Sequence, residues 1–398
     1  MTHHTVLIIN CGSATVKYQL LALPSETVLV KGIFDGIGQE QLSHDYYWQD
    51  KSGQRHDETL VLAELSYAEC FVAIADVLIK HELANPNVIG HRVVHGGELF
   101  SQPTLIDAAV LVHIEQLSSL APLHNPANVQ GIEECLNLFP HCPQIAVFDT
   151  AFHQTMPEYA YRYPIPDKWY SDYHIRKYGF HGSSHRYVAE QAAAYLHTPL
   201  SSLNLITLHL GNGVSMAAIK QGQCIDTSMG FTPLEGLMMG SRSGDLDPAI
   251  SLHLQQQHGM TAEQVSQELN EHSGLLAMAG SSDMRNVLSQ QELGDVDSQL
   301  AVDMYCYRIK KYIGAYIAIL GHVDALIFTG GVGENSTHIR KQACDNLNGL
   351  GIGVDVQKNE QHVDDILDIS ATKSRIKTMV IRTNEELQIA KEVVSFID

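Results

Sequence analysis

With 398 residues the chain exceeds a single ordinary core, and two domains are expected. Apolar residues make up 44% and charged residues 18%, as in soluble globular proteins. The formal net charge of −20 excludes nucleic acid or an anionic membrane as the main partner, because both need a basic footprint. An acidic chain that binds a phosphate ester must therefore concentrate its few cations locally or recruit a metal ion. Seven cysteines, odd in number and without a C-x-x-C pair, argue against a disulfide framework or zinc site and for a reducing, cytoplasmic setting.

The N-terminus enters an apolar run within five residues, which leaves no room for a signal peptide. Residues 5–35 alternate apolar runs with turn signals and predict antiparallel strands. Residues 66–83 carry Phe71, Ile74, Ala75, Leu78 and Ile79 at helical spacing. Val88-Ile89-Gly90 leads into a predicted loop, His91 to Glu98, and a second helix is expected over 107–120. Residues 144–149 read as a buried strand ending in the carboxylate of Asp149. The stretch 156–182 is rich in Tyr, Pro and His and weakly periodic, and the inter-domain crossing is placed just before it. A helix at 184–196 precedes a strand at 204–210 and a hairpin near Gln221-Gly222. A helix at 297–320, a strand at 325–329, a turn at 330–335 and a helical stretch from about Thr337 follow. The apolar stretch 312–328 is broken by Gly314, Gly321, His322 and Asp324, so it reads as a helix and a strand and not as a membrane span. From Glu385 a last helix could pack back on the first domain. The expected class is α/β in two similar lobes with a cleft: 1–150 with 385–398, and 151–384.

Two turns stand out. Val6-Leu7-Ile8-Ile9 runs into Asn10-Cys11-Gly12-Ser13-Ala14-Thr15-Val16-Lys17, and Leu205 to Leu210 runs into Gly211-Asn212-Gly213. Such turns expose N–H groups and hydroxyls that can hold a phosphate, although each taken alone equally suits a plain hairpin. Neither is a Walker A loop, and the Gly330 to Asn335 turn lacks G-x-G-x-x-G spacing. Arg92 and Arg242 sit among glycines and small residues, where a guanidinium suits a carboxylate or phosphate, or else an ion pair. His124 and His181 are pinned by flanking Pro and Gly; His181 and His185 are four apart, but no H-E-x-x-H pattern supports zinc. Glu385 stands where a helix would begin, and Asp283-Met284-Arg285 reads as a polar loop.

Together these segments closely resemble the acetate kinase family, in one order over nearly the whole chain. The matching stretches are 10–13, 90–98, 121–126, 148–157, 178–185, 209–213, 239–248, 281–285, 328–336 and 383–386. The resemblance implies two duplicated actin-like, ribonuclease H-like lobes of the acetate and sugar kinase, heat-shock ATPase and actin superfamily. It implies reversible transfer from ATP to acetate, giving acetyl phosphate and ADP, with Mg²⁺ (Mn²⁺ able to substitute), in a homodimer. Residue by residue, Asn10 and Glu385 match magnesium-associated positions and Lys17 a nucleotide position. Arg92 matches the substrate arginine, Asp149 the position usually assigned as acid or base, and His181 and Arg242 transition-state stabilisers. His209, Leu210, Gly211, Asn212 and Gly213, Asp283 to Arg285, and Gly331, Val332, Gly333, Glu334 and Asn335 match the nucleotide loops. Val94, Leu123, Phe180 and Pro233 match the pocket for the substrate methyl, with His124 beside it. The chain departs from the family at Ala14, where a hydroxyl is lost, and at Ser183 and Ser241, where serine replaces threonine.

Acetate is already ionised at neutral pH, so its oxygen needs no general base. Catalysis is then expected from positioning and charge neutralisation in an in-line transfer. Arg92 would hold the carboxylate, Arg242 and His181 the equatorial phosphoryl oxygens, and Asp149 would organise metal or water and carry no proton. Propionate kinase is the near alternative. A carboxylate-independent ATPase module, a sugar kinase and a pyrophosphate-dependent variant are further ones.

Overall fold

Among the described residues, eight strands in the first part of the chain and six in the second form two sheets with one shared plan. The computed structural model describes residues 3–398. They fall into two compact units, Met1–Ala151 with Asn384–Asp398, and Phe152–Thr383.

The first unit contains β1 (His4–Cys11), β2 (Thr15–Leu23), β3 (Thr27–Asp35), β4 (Gln41–Gln49), β5 (Arg55–Ala63), β6 (Val88–Val93), β7 (Thr104–Leu105) and β8 (Gln144–Phe148). Their order across the sheet is β5-β4-β3-β2-β1-β6-β8-β7. β1 pairs antiparallel with β2 and parallel with β6, which pairs parallel with β8. Both faces of β1 are closed off, as its run of buried Val6 to Ile9 requires. One face is covered by helices Tyr67–Lys80 and Asn125–Leu138, the other by helix Glu385–Ile397. That last helix lies close on the strands. A Cβ on Gly90 would meet Ile8 Cδ1 at 2.8 Å and Val393 Cγ2 at 2.9 Å, so only glycine admits it.

The second unit contains β9 (Asn204–Leu210), β10 (Val214–Lys220), β11 (Gln223–Thr227), β12 (Ala325–Thr329), β13 (Ile366–Asp368) and β14 (Lys377–Ile381). Their order is β11-β10-β9-β12-β14-β13. Antiparallel β11-β10-β9 and parallel β9-β12-β14 repeat the order and directions of β3-β2-β1-β6-β8. Helix Gly182–Tyr195 lies on β9, as helix Glu385–Ile397 lies on β1. Val188, Ala189 and Ala192 of that helix pack with Leu205, Ala217 and Ile327 of the sheet.

The sequence expectations need four corrections. Residues 91–93 continue β6 instead of opening a loop, because His91 is satisfied by Gln144 Oε1 at 2.8 Å and Arg92 by Asp149. Gly330–Asn335 is a short helix instead of a turn. Asp283 caps helix Met284–Glu292, accepting from Arg285 N–H at 2.9 Å, so 283–285 is a helix start. The predicted helix over 107–120 is Ala108–Gln116, continued by one tight turn, Leu117–Ser119. Among the described residues no helix is long and apolar enough to cross a membrane.

Candidate active site

The β1–β2 hairpin of the first unit sets Asn10 opposite Lys17, across a turn closed by the Gly12 N–H donating to Thr15 O at 2.8 Å. Parallel pairing of β1 with β6 brings Arg92 beside Asn10, since Ile8 is opposite Gly90 two residues earlier. Arg92 is opposite Val147 in β8, and two residues further on Asp149 leaves the strand end. The Arg92 guanidinium donates from Nε to Asp149 Oδ1 at 3.0 Å, from Nη2 to Oδ2 at 2.5 Å, and from Nη1 to Asn10 Oδ1 at 3.3 Å. Glu385, in the first turn of its helix, places Oε2 4.0 Å from Arg92 Nε.

Asp149 is 1% exposed, so this is a buried charge that needs its partner. Burial works against the Arg92 charge, but Asp149 and Glu385 outweigh it and raise its pKa. Burial pushes Glu385 up to about 7, with Asp149 and Glu386 adding to it and Arg92 and Lys17 opposing. Two buried asparagines lock the surrounding backbone. Asn128 accepts from Val94 N–H at 3.0 Å and donates to Cys11 O at 2.8 Å, and Asn125 accepts from His95 N–H at 3.1 Å.

The hairpin of the second unit places His209 opposite Ser215 and closes with the Gly211 N–H donating to Gly213 O at 3.1 Å. His181, at φ 58°, ψ 28°, is the N-cap of helix Gly182–Tyr195. Its Nδ1 lies 2.9 Å from Ser215 Oγ, and its ring stacks on His209 with centroids 4.2 Å apart. A Cβ on Gly213 would fall 3.4 Å from His181 Nε2 and 3.7 Å from Arg242 Nη1. Glycine thus keeps clear the space that two donors share. Arg242 also donates to Pro233 O at 3.4 Å. No carboxylate pairs with it among the described residues, and burial lowers its pKa.

A cavity of about 970 Å³ lies within this unit, lined by Gly211 and Asn212, by 282–285, and by Gly331, Val332 and 335–338, with Leu275 and Leu288 as apolar walls. Three separated glycine-rich or polar stretches thus converge on one volume of ligand size. Glu334 faces elsewhere: its Oε1 accepts from Gly330 N–H at 2.9 Å and Thr383 N–H at 3.0 Å. Arg340, buried behind, donates to Gly333 O at 3.0 Å and Glu334 O at 2.8 Å, fixing the end of that short helix.

Comparison with known proteins decides what these groups belong to. A model of the acetokinase family matches residues 5–391. The acetate kinase of Carboxydothermus hydrogenoformans is 48% identical, covering 98% of this chain and 99% of its own. The chain belongs to the acetokinase family. Solved structures of an acetate kinase from Porphyromonas gingivalis and a propionate kinase from Francisella tularensis superpose with TM-scores of 0.92 and 0.93. The first is 40% identical, covering 99% of this chain and 100% of its own; the second is 41% identical, covering 98% and 99%. The chain is accordingly a kinase that phosphorylates a carboxylate, in an α/β fold built on the duplicated sheet.

In this acetokinase-family chain Asn10, Arg92, Asp149 and Glu385 meet around one guanidinium, with Lys17 exposed on the hairpin. His181, His209, Gly213, Pro233 and Arg242 gather in the second unit. Gly211, Asn212, Asp283, Met284, Arg285, Gly331, Val332 and Asn335 share the cavity, whereas Leu210 and Gly333 are buried beneath it. Arg285 itself is 90% exposed and paired with Asp283 at 2.6 Å. Val94 and Phe180 are buried, Leu123 is exposed, and His124 is the N-cap of helix Asn125–Leu138 without a side-chain capping bond. Asn128, Arg340, Thr207 and Ser215 were not visible as site residues in the sequence. The alternation of Thr207 with His209, and the spacing of His181 and His185, are the available signals.

Proposed function

We propose that the chain transfers the γ-phosphoryl group of ATP to acetate, reversibly and by direct in-line displacement. The observation that carries this is the unfinished coordination of Arg92. A guanidinium has five N–H donors. Asp149 takes those on Nε and one of Nη2, and Asn10 takes one of Nη1, which leaves one on each terminal nitrogen. That remaining pair is a fork matched to a carboxylate, already oriented by Asp149. Arg242 and the His181 imidazole supply donors for the phosphoryl oxygens, and the cavity lined by 282–285 and 335–338 takes the nucleotide. Because the nucleophile is an anion at neutral pH, Asp149 has no proton to remove, and its work is to hold Arg92.

The oxygen donors around Arg92 fit a magnesium ion. Among the described residues no group of three or more His, Cys, Asp or Glu could hold a metal, so an all-protein cage is absent. Magnesium favours one or two carboxylates, water and phosphate oxygens instead. Asn10, Asp149 and Glu385 would hold it, and the half-buried Glu385 carboxyl, drawn up to about 7, is a group that a nearby dication would return to its ionised form. When bound the ion supplies positive charge against the polyphosphate. The family resemblance also supports work as a homodimer in a reducing cytosol, the latter in keeping with seven free cysteines.

A second reading, propionate as acceptor, is favoured by the likeness to the Francisella tularensis structure. The buried Val94 near Arg92 favours the smaller acid, but one methylene is worth only about 1–3 kcal/mol. An ADP-coupled assay with acetate, propionate, butyrate and glycerol tests both. Acetate is expected to turn over with the highest kcat/KM and propionate more slowly. ADP release independent of any carboxylate would sink the reading.

A further inference from the structure

Behind His181 runs a buried row of hydroxyls and imidazoles. Thr207 Oγ1 lies 2.7 Å from His185 Nδ1, and His185 Nε2 lies 2.8 Å from Ser215 Oγ. Ser215 Oγ in turn lies 2.9 Å from His181 Nδ1. Register explains the row: Thr207 and His209 share one face of β9, Ser215 is opposite His209 on β10, and His181 and His185 are one helical turn apart. Thr207, His185 and Ser215 are each 0% exposed, so their hydrogens must be met inside the protein.

Proton counting gives the row a direction. His185 is neutral, because burial, and then His153 and His209, pull its pKa well below the usual range. A neutral imidazole donates from one nitrogen and accepts at the other. His185 is the one side-chain partner of Thr207 Oγ1 among the described residues. If Thr207 accepted, its own buried hydrogen would be unmet, at a cost comparable to a lost hydrogen bond. Thr207 therefore donates to His185 Nδ1, and His185 Nε2–H donates to Ser215. The Ser215 hydrogen is then left for His181 Nδ1.

We propose that Thr207, His185 and Ser215 are positioning residues that hold His181 as the neutral tautomer with its hydrogen on Nε2. That hydrogen points into the space it shares with Arg242 beside Gly213. Arg242, the stacked His209 and the Ser215 hydroxyl are among the groups near the His181 ring. His181 thus offers a fixed hydrogen-bond donor, while Arg242 brings full charge. The left-handed backbone at His181, φ 58°, is a conformation that costs energy in a non-glycine residue and persists only when its surroundings hold it. This inference rests on the proposed contact of His181 with the phosphoryl group, and its tests separate the two.

In ¹⁵N-histidine-labelled full-length protein at pH 7.5, His181 is expected to show an unprotonated Nδ1 and a protonated Nε2. A hydrogen on Nδ1, or an imidazolium, would overturn the proposal. Ser215→Ala and Thr207→Val should each lower kcat about tenfold, the worth of one neutral hydrogen bond, with KM for acetate little changed. They should also move the acid limb of the kcat–pH profile toward higher pH, as His181 becomes easier to protonate. Thr207→Ser, which keeps the terminal donor, should restore wild-type behaviour. Wild-type kcat and pH profile in both Ser215→Ala and Thr207→Val would overturn the positioning role. The expected tautomer together with full activity in His181→Ala would overturn the phosphoryl contact while leaving the proton order standing.

Discussion

The two units put different chemistry on equivalent positions of one scaffold. Asn10, Arg92 and Asp149 occupy, in β1, β6 and just after β8, the places that His209, Thr329 and Thr383 occupy in β9, β12 and just after β14. Glu385 starts the helix lying on one sheet, and His181 caps the helix lying on the other. The first set is ionic: a guanidinium between carboxylates, with a buried charge at its centre. The second is a mesh of hydroxyls and imidazoles, in which Ser184 Oγ lies 2.8 Å from both His209 Nδ1 and Thr383 Oγ1. Its cation, Arg242, which pairs with no carboxylate among the described residues, comes from a loop outside the duplicated positions. An ionic set is coupled to stability, because removing one member strands another. A mesh with an added cation lets activity change while the fold stays intact.

That contrast is broken or sharpened most directly at the two arginines. Arg242→Ala should lower kcat by about 10²–10³-fold, as for other single electrostatic stabilisers, with an unchanged melting temperature. A change confined to KM would place it in ground-state binding instead. Arg92→Ala should abolish carboxylate binding and also cost about 3 kcal/mol of stability in urea titration, since Asp149 loses its partner. Asp149→Ala in the Arg92→Ala background should recover part of that loss. Equal melting temperatures for the two single arginine variants would erase the distinction between the units.

Smaller effects follow for the carboxylates. Glu385→Gln should raise the Mg²⁺ concentration for half-maximal rate about tenfold. Asp149→Asn should be partly rescued by added Mg²⁺; rescue by a small exogenous base, with none from Mg²⁺, would make Asp149 a proton carrier after all. Least in size is the acid sensitivity of the first unit. Burial lowers His44, His91 and His95 to about 4, so below pH 6.5 the unfolded chain binds protons that the folded unit does not. Stability is therefore full above pH 6.5 and is lost as pH falls toward 4, by about 5 °C or more in melting temperature. A flat calorimetric profile over that range would show that these rings take up protons without unfolding.

Much of this was legible in the sequence where one physical signal dominated. The apolar runs before Asn10 and Gly211 named β1 and β9, and helical spacing named Tyr67–Lys80. β4 and β5 went unassigned because their face is aromatic and imidazole-rich: His44 stacks on Phe34 at 3.7 Å and on Tyr46 at 4.6 Å, a pattern unlike simple alternation. Arg92 read as a loop residue because an arginine inside a buried strand makes sense only with Asp149 in place, 57 residues away. Thr207 and Ser215 were silent for a similar reason. A small hydroxyl on a strand says nothing until the pairing of β9 with β10 sets it against a histidine.

The helix that carries Glu385 has a consequence for how the protein is made. Residues 152–383 are one uninterrupted segment and can reach their final form while synthesis continues. The opening 151 residues cannot, because the element that covers Ile8 and Gly90 is translated only after residues 152–383. A nascent polypeptide halted before Asn384 would own the cavity beside Gly211 and Asn335 and lack the Glu385 carboxylate beside Arg92. The order of translation thus delays completion of the first unit until residues 384–398 have followed the whole of the second.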